Sequence, residues 1–131
     1  LSPVLIGQIL ATAAHNDDAE YINSVREEYT KRRNLLVELL NEIPGVKCPK
    51  PKGAFYCVAE LPVEDADDFA QWMLESFSDN GETVMVAPAS GFYSQPELGK
   101  KQVRIAYVLK SEDLKRSVEL LKLALEKYNN K

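Results

Sequence analysis

The chain has 131 residues, 45% hydrophobic and 27% charged, with a formal net charge of −4. That length and apolar content suit one modest domain with a single core, and mixed signs with an acidic balance argue against a nucleic-acid partner, which needs a clustered basic surface. The densest basic run, Lys31 to Arg33, follows Glu27 and Glu28 at i,i+4 spacing and reads as a self-paired, solvated helix face.

The chain opens with a helix signal: Ser2 can cap and Pro3 takes the first helical position. Val4, Leu5, Ile6, Ile9, Leu10 and Ala13 cover much of the circumference, so this short helix needs burial on more than one side. The segment lacks a basic n-region and an initiator Met, and it reads as part of a chain cut from something larger. No apolar run is long enough to cross a membrane, so no membrane partner is expected. Asp17 and Glu20 form a capping-box pattern that restarts a helix. Ile22, Val25, Tyr29, Leu36, Leu39 and Ile43 then recur at alternating three and four spacing, with Arg32 in the remaining seam position. This predicts a helix of roughly 25 residues, stopped by Pro44-Gly45.

Short extended segments follow, "VKC" and then "AFYCVAEL", where Phe55 and Tyr56 should point to opposite sides of a strand. A third helix is predicted from Asp65 to Asp79, with Ala66, Phe69, Ala70, Met73 and Phe77 buried and Gly81 ending it. "TVMVAP" reads as a buried strand from its β-branched content. A connection without structure of its own, "ASGFYSQPELGKK", leads to the strand "QVRIAYVL". Such a long connection is more often functional than idle, although Phe92 and Tyr93 can also simply pin it to the sheet. Ser111 is placed to cap a last helix carrying Leu114, Val118, Leu121, Leu125 and Tyr128. The order α-α-β-α-β-β-α predicts an α+β fold of three or four strands with helices on one face.

The chemistry-bearing residues are few. Cys48 and Cys57 make neither a zinc pattern nor a disulfide framework, and read as small apolar fillers in a reducing compartment. The single histidine, His15, sits at a helix end, no glycines have phosphate-loop spacing, and no acidic pair is placed for acid–base work. Arg104 stands apart. It shares a strand face with Ala106 and Val108, which predicts partial burial, and a buried guanidinium needs an anion. That anion is either an internal carboxylate or the carboxylate of a ligand, for which the guanidinium fork is suited.

Taken together and in this order, "PKGAFYCVAEL", "VMVAPASGFY" and "KKQVRIAYVL" resemble the fold-type I pyridoxal-phosphate enzymes, specifically the class I/II aminotransferases and within them the aspartate aminotransferase group. The resemblance covers essentially the whole chain. It implies that residues 1–43 are the end of a large domain and a long linking helix, and that residues 44–131 are a small C-terminal α+β domain. It implies that Arg104 binds the substrate α-carboxylate, with Gly53 and Phe55 at the lip of the pocket, the glycine allowing close approach and the ring shielding the clamp. The family pattern P-G-x-x-F-G is departed from, since Pro88 is followed by Ala89, Ser90, Gly91, Phe92 and Tyr93.

Pyridoxal phosphate requires a lysine to carry it, an acid at its pyridine nitrogen and a phosphate cup. In the family that lysine follows a Ser or Thr three residues earlier, and no lysine here has such a neighbour. The resemblance therefore places the catalytic residues and the cofactor site upstream, in a cytoplasmic, homodimeric parent exchanging an amino group between an amino acid and a 2-oxo acid. The fragment alone should be inactive and bind no cofactor. In the parent the large domain would cover the first helix, so the isolated chain is expected to associate through residues 4–14. A stand-alone amino-acid-binding regulatory module is the alternative; it would favour a βαββαβ order.

Overall fold

The computed structural model describes residues 3–15 and 19–130. Ser2 and Asp17, the two expected caps of the N-terminal helices, lie outside the described residues. Helix α1 spans Leu5–His15, so Pro3 precedes it rather than opening its first turn, and none of its residues is buried. The expectation of burial on several sides is not met: Ile6 is 72% exposed, with Val4, Leu5, Ile9 and Leu10 similarly uncovered.

Helix α2, Ala19–Asn41, has the predicted length, but only its C-terminal half enters the core. Ile22 and Val25 are exposed, while Leu36 and Leu40 are fully buried and Ile43 follows them in. Leu40, absent from the predicted seam, is the residue α2 buries most completely. Helix α4 (Ser111–Asn129) packs against α2, and a periodic stripe is buried only where another element meets it.

Three strands form one antiparallel sheet: β1 (Tyr56–Glu60), β2 (Ala87–Pro88) and β3 (Gln102–Ala106), in the order β1-β3-β2. Cys57, Ala59, Val103 and Tyr107 face the helices and are buried, while Tyr56, Val58, Arg104 and Ala106 face outward and are exposed. Helices therefore cover one face, as the sequence order implies. "VKC" contributes a single bridge, Lys47 to Glu60, rather than a strand. The expected strand over 83–88 shrinks to Ala87 and Pro88, which pair with Arg104 and Val103. Thr83 to Val86 lie apart from β3, and Met85 is 77% exposed. Their β-branched chemistry is a preference for a pleated, half-buried surface, which has no effect without a cross-strand neighbour.

Helix α3, Ala66–Ser76, is capped by Asp65, whose carboxylate accepts from the backbone N–H groups of Asp67 at 2.9 Å and Asp68 at 3.4 Å. It ends at Phe77 rather than at Gly81. Gly81 instead completes a two-residue turn with Asn80, both at positive φ (53° and 79°), around which Asp79 and Glu82 exchange backbone hydrogen bonds. Arg116 of α4 ties that turn down through Asp79 at 2.7 Å and Glu82 at 2.8 Å. Ser111 does not cap α4: the N-cap position is Lys110 and has no side-chain hydrogen bond. The predicted stripe Leu114, Val118, Leu121 and Leu125 is buried.

The connection over 89–101 has structure of its own, two 3₁₀ turns at Ser90–Phe92 and Pro96–Gly99. Gly99 is buried where a Cβ would lie 2.6 Å from the Tyr93 ring and 2.7 Å from the Ala89 carbonyl oxygen. Around Gly91 a Cβ would meet nothing within 4 Å. Gly99→Ala should therefore cost about 1–3 kcal/mol in chemical denaturation, because the Ala89 carbonyl is backbone and cannot give way as a side chain can. Gly91→Ala should change stability by less than about 0.5 kcal/mol.

Candidate functional site

Strand pairing places Arg104 opposite Val58 of β1 and Ala87 of β2, at the middle of the exposed sheet face. The partial burial expected from its apolar neighbours is absent, because Ala106 and Val108 on the same face are themselves uncovered. Its guanidinium carbon lies 5.2 Å from the centroid of the Tyr56 ring and 4.7 Å from that of Phe92. Each contact is worth about 0.5–1 kcal/mol at an exposed site. Among the described residues no carboxylate pairs with Arg104; the ion pairs of the fold go to Arg32, Lys47, Lys100 and Arg116. Of the two anions open to Arg104 in the sequence, the internal one is not found among the described residues. Two rings hold a cation whose N–H groups remain open to a ligand.

Phe55 joins this cluster edge-on, its ring centroid 5.6 Å from that of Tyr56 at an interplanar angle of 90°. The two rings thus meet rather than pointing to opposite sides, since Phe55 precedes the strand and β1 begins only at Tyr56. Gly53 sits in the exposed loop before them. A Cβ there would meet nothing within 4 Å, and the left-handed residue of the loop is Ala54, at φ 62°. That conformation costs an alanine roughly 1–2 kcal/mol. Within this chain nothing demands glycine at position 53, which leaves room above it for another molecule.

The loop over 48–56 is held from beneath at several points. The Asn41 side chain donates to the Cys48 carbonyl at 2.9 Å and accepts from the Cys48 N–H at 2.9 Å. Arg33 donates to the Pro51 carbonyl at 3.3 Å. Tyr107 donates from its hydroxyl to the Ala54 carbonyl at 2.8 Å and from its backbone N–H to the Phe55 carbonyl at 2.9 Å. Burial pushes the Tyr107 phenol above its usual value, so it remains a neutral donor. Cys57 is buried beneath the same loop, and the neighbouring Cys48 together with burial pushes its thiol up, which leaves it protonated.

Beside Arg104, next to the unpaired residues 84–86, lies a groove of about 510 Å³, lined largely by aliphatic side chains, with Leu36 and Leu121 among them. Across the loop over 89–101, the Tyr93 hydroxyl lies 2.6 Å from the Gln102 side-chain oxygen and pins the loop to β3, whereas Phe92 is left exposed over the guanidinium. The places of Tyr56 and Phe92 at Arg104 were not foreseen. Only the pairing of Tyr56 with Ala106, two positions along from Arg104, brings the first into range.

The sequence profile of "Aminotransferase class I and II" matches residues 1–121. The chain belongs to that family. It is 34% identical to an aspartate aminotransferase of Bacillus subtilis over 135 residues, covering 98% of this chain and 32% of the relative. It is 36% identical to the transaminase BacF of the same organism, covering 85% of this chain and 26% of the relative. Among solved structures, an aromatic aminotransferase from Pyrococcus horikoshii superposes with a TM-score of 0.74 at 30% identity, covering 91% of this chain and 31% of that one. The fold also matches an alanine aminotransferase from Pyrococcus furiosus, at a TM-score of 0.81. The chain thus spans about a third or less of the length of these relatives.

The βαββαβ order that a regulatory module would favour is not what is observed; two helices precede the first strand. Among the described residues no aspartate or glutamate side chain is buried, and the described lysines stand exposed or half-exposed at the surface.

Because Arg104 is exposed and makes no ion pair among the described residues, Arg104→Gln should lower stability by no more than about 1 kcal/mol, the size of the lost ring contacts. A large fall in the unfolding midpoint would mean that Arg104 serves the fold.

Proposed function

We propose that this chain is the substrate-gripping part of a pyridoxal-phosphate aminotransferase of the aspartate aminotransferase group. Residues 1–43 would form the end of the large domain and the linking helix, and residues 44–131 the small C-terminal domain. The observation that carries the reading is Arg104: a guanidinium in the "VRIAY" strand, flanked by two aromatic rings, with no carboxylate of its own among the described residues. The aspartate aminotransferase relatives support the choice of group.

Arg104 would take the substrate α-carboxylate through two parallel, charge-assisted hydrogen bonds, which fixes orientation as well as position. The Tyr56 and Phe92 rings restrict the guanidinium without occupying its donors. Phe55 at the lip would keep water from the ion pair, and the open space over Gly53 would admit the substrate backbone. When bound, the cofactor supplies the electron sink for amino-group exchange; its lysine, acid and phosphate cup would lie in a part of a longer polypeptide that this chain does not contain. Movement of the small domain over the substrate would then exclude water from the reaction. The same reading makes the full protein a homodimer of the cytoplasm acting on an amino acid and a 2-oxo acid, and the isolated chain inactive.

In the full-length protein Arg104→Ala should lower kcat/KM by roughly 10² to 10³ or more, about 3–5 kcal/mol, by leaving the carboxylate unpaired in a closed pocket. Arg104→Lys keeps the charge without the fork and should fall between Ala and wild type. Cofactor absorbance should be unchanged in both; normal half-reaction kinetics in Arg104→Ala would end the clamp assignment. The isolated chain mixed with stoichiometric pyridoxal phosphate and reduced with borohydride should show no single modified lysine by mass spectrometry. One uniquely labelled lysine would contradict the assignment of the cofactor site to another part of the polypeptide.

A further inference from the structure

The geometry points to Tyr107 as the positioning residue of the substrate lip, holding Ala54 in its left-handed conformation and thereby setting where Gly53 and Phe55 stand relative to Arg104. The inference rests on the reading of Arg104 as a carboxylate clamp and adds a residue to it.

Tyr107 and Arg104 lie three positions apart on one extended segment, so they project to opposite faces: Arg104 outward, Tyr107 into the core, where it is 1% exposed. From beneath, Tyr107 grips three consecutive residues of the lip. Its hydroxyl donates to the Ala54 carbonyl at 2.8 Å and lies 3.3 Å from the Gly53 carbonyl, and its N–H donates to the Phe55 carbonyl at 2.9 Å. The residue between Gly53 and Phe55, Ala54, is one of the two described non-glycine residues with positive φ. The other, Asn80, is of a type that tolerates this region; alanine is not. An alanine stays there only when its surroundings hold it. The Tyr107 ring is itself fixed, buried and tilted against Tyr29 at 6.4 Å. A rigid phenol anchored on the clamp strand therefore sets the backbone of the lip, and the ring of Phe55, against Tyr56 and Arg104.

Removing the hydroxyl alone tests this. In the full-length protein, Tyr107→Phe should raise KM for the amino acid about two- to tenfold, the worth of one hydrogen bond, with kcat changed less than about twofold. Ala54→Gly, which removes the cost of the left-handed conformation, should restore most of the KM in the double variant. A purely structural tyrosine would give additive losses and no rescue. A second readout does not depend on the clamp. Trypsin can cut the lip at Lys52–Gly53, since Lys50 is followed by Pro51, and Tyr107→Phe should speed that cut several-fold by mass spectrometry, with Ala54→Gly slowing it again. Unchanged cutting overturns the inference, and so does faster cutting with an unchanged KM. Arg104→Ala run alongside separates the two claims. Normal kinetics there remove the clamp reading and, with it, the substrate role of Tyr107. A collapse there beside an unaltered Tyr107→Phe removes the positioning role alone.

Discussion

The central strand is the constraint on which the rest depends. β3 is hydrogen-bonded on both sides, to β1 over its whole length and to β2 over two residues, so its register cannot slip without turning every side chain to the wrong face. That fixed alternation sends Val103 and Tyr107 into the core and Arg104 out of it. One strand therefore anchors the fold with one face and presents a cation with the other.

The consequence is a division of labour between rigid and exposed parts. Leu36 and Leu40, Phe69 and Met73, and Leu114 and Leu121 pack as a single cluster beneath the sheet and hold it against the helices. Above it, the groups that meet Arg104 come from an exposed strand face and a short 3₁₀ turn, and the residues beside them come from a loop pinned by Asn41, Arg33 and Tyr107. A site on a firmly paired strand is placed more accurately than one on loops alone. The loops supply the rings that restrict it.

Much of this was legible in the sequence, for local reasons. The α3 and α4 stripes and the order of elements follow from short-range chemistry that the chain carries wherever it is placed. The three motifs identified the family, and Arg104 was singled out by its place on a strand. What was missed depends on neighbours. The burial expected for α1 and for Ile22 and Val25 requires a covering surface, which is not among the described residues, and Thr83 to Val86 do not pair with β3 although Ala87 beside them does. Partial burial of Arg104 was inferred from apolar neighbours that prove to be exposed themselves. Ala54 rather than Gly53 holds the left-handed turn, because a long-range hydrogen bond from Tyr107 supports it. Nothing within a few residues of Ala54 signals that contact.

The most direct test is a crystal structure of the full-length protein with a non-reacting carboxylate analogue of its amino-acid substrate. Arg104 should hold the α-carboxylate through two N–H···O contacts of about 2.7–2.9 Å, with the Tyr56 and Phe92 rings still flanking the guanidinium and Phe55 over the ion pair. A carboxylate bound by other residues, with Arg104 turned to solvent or paired with a protein acid, would contradict the assignment.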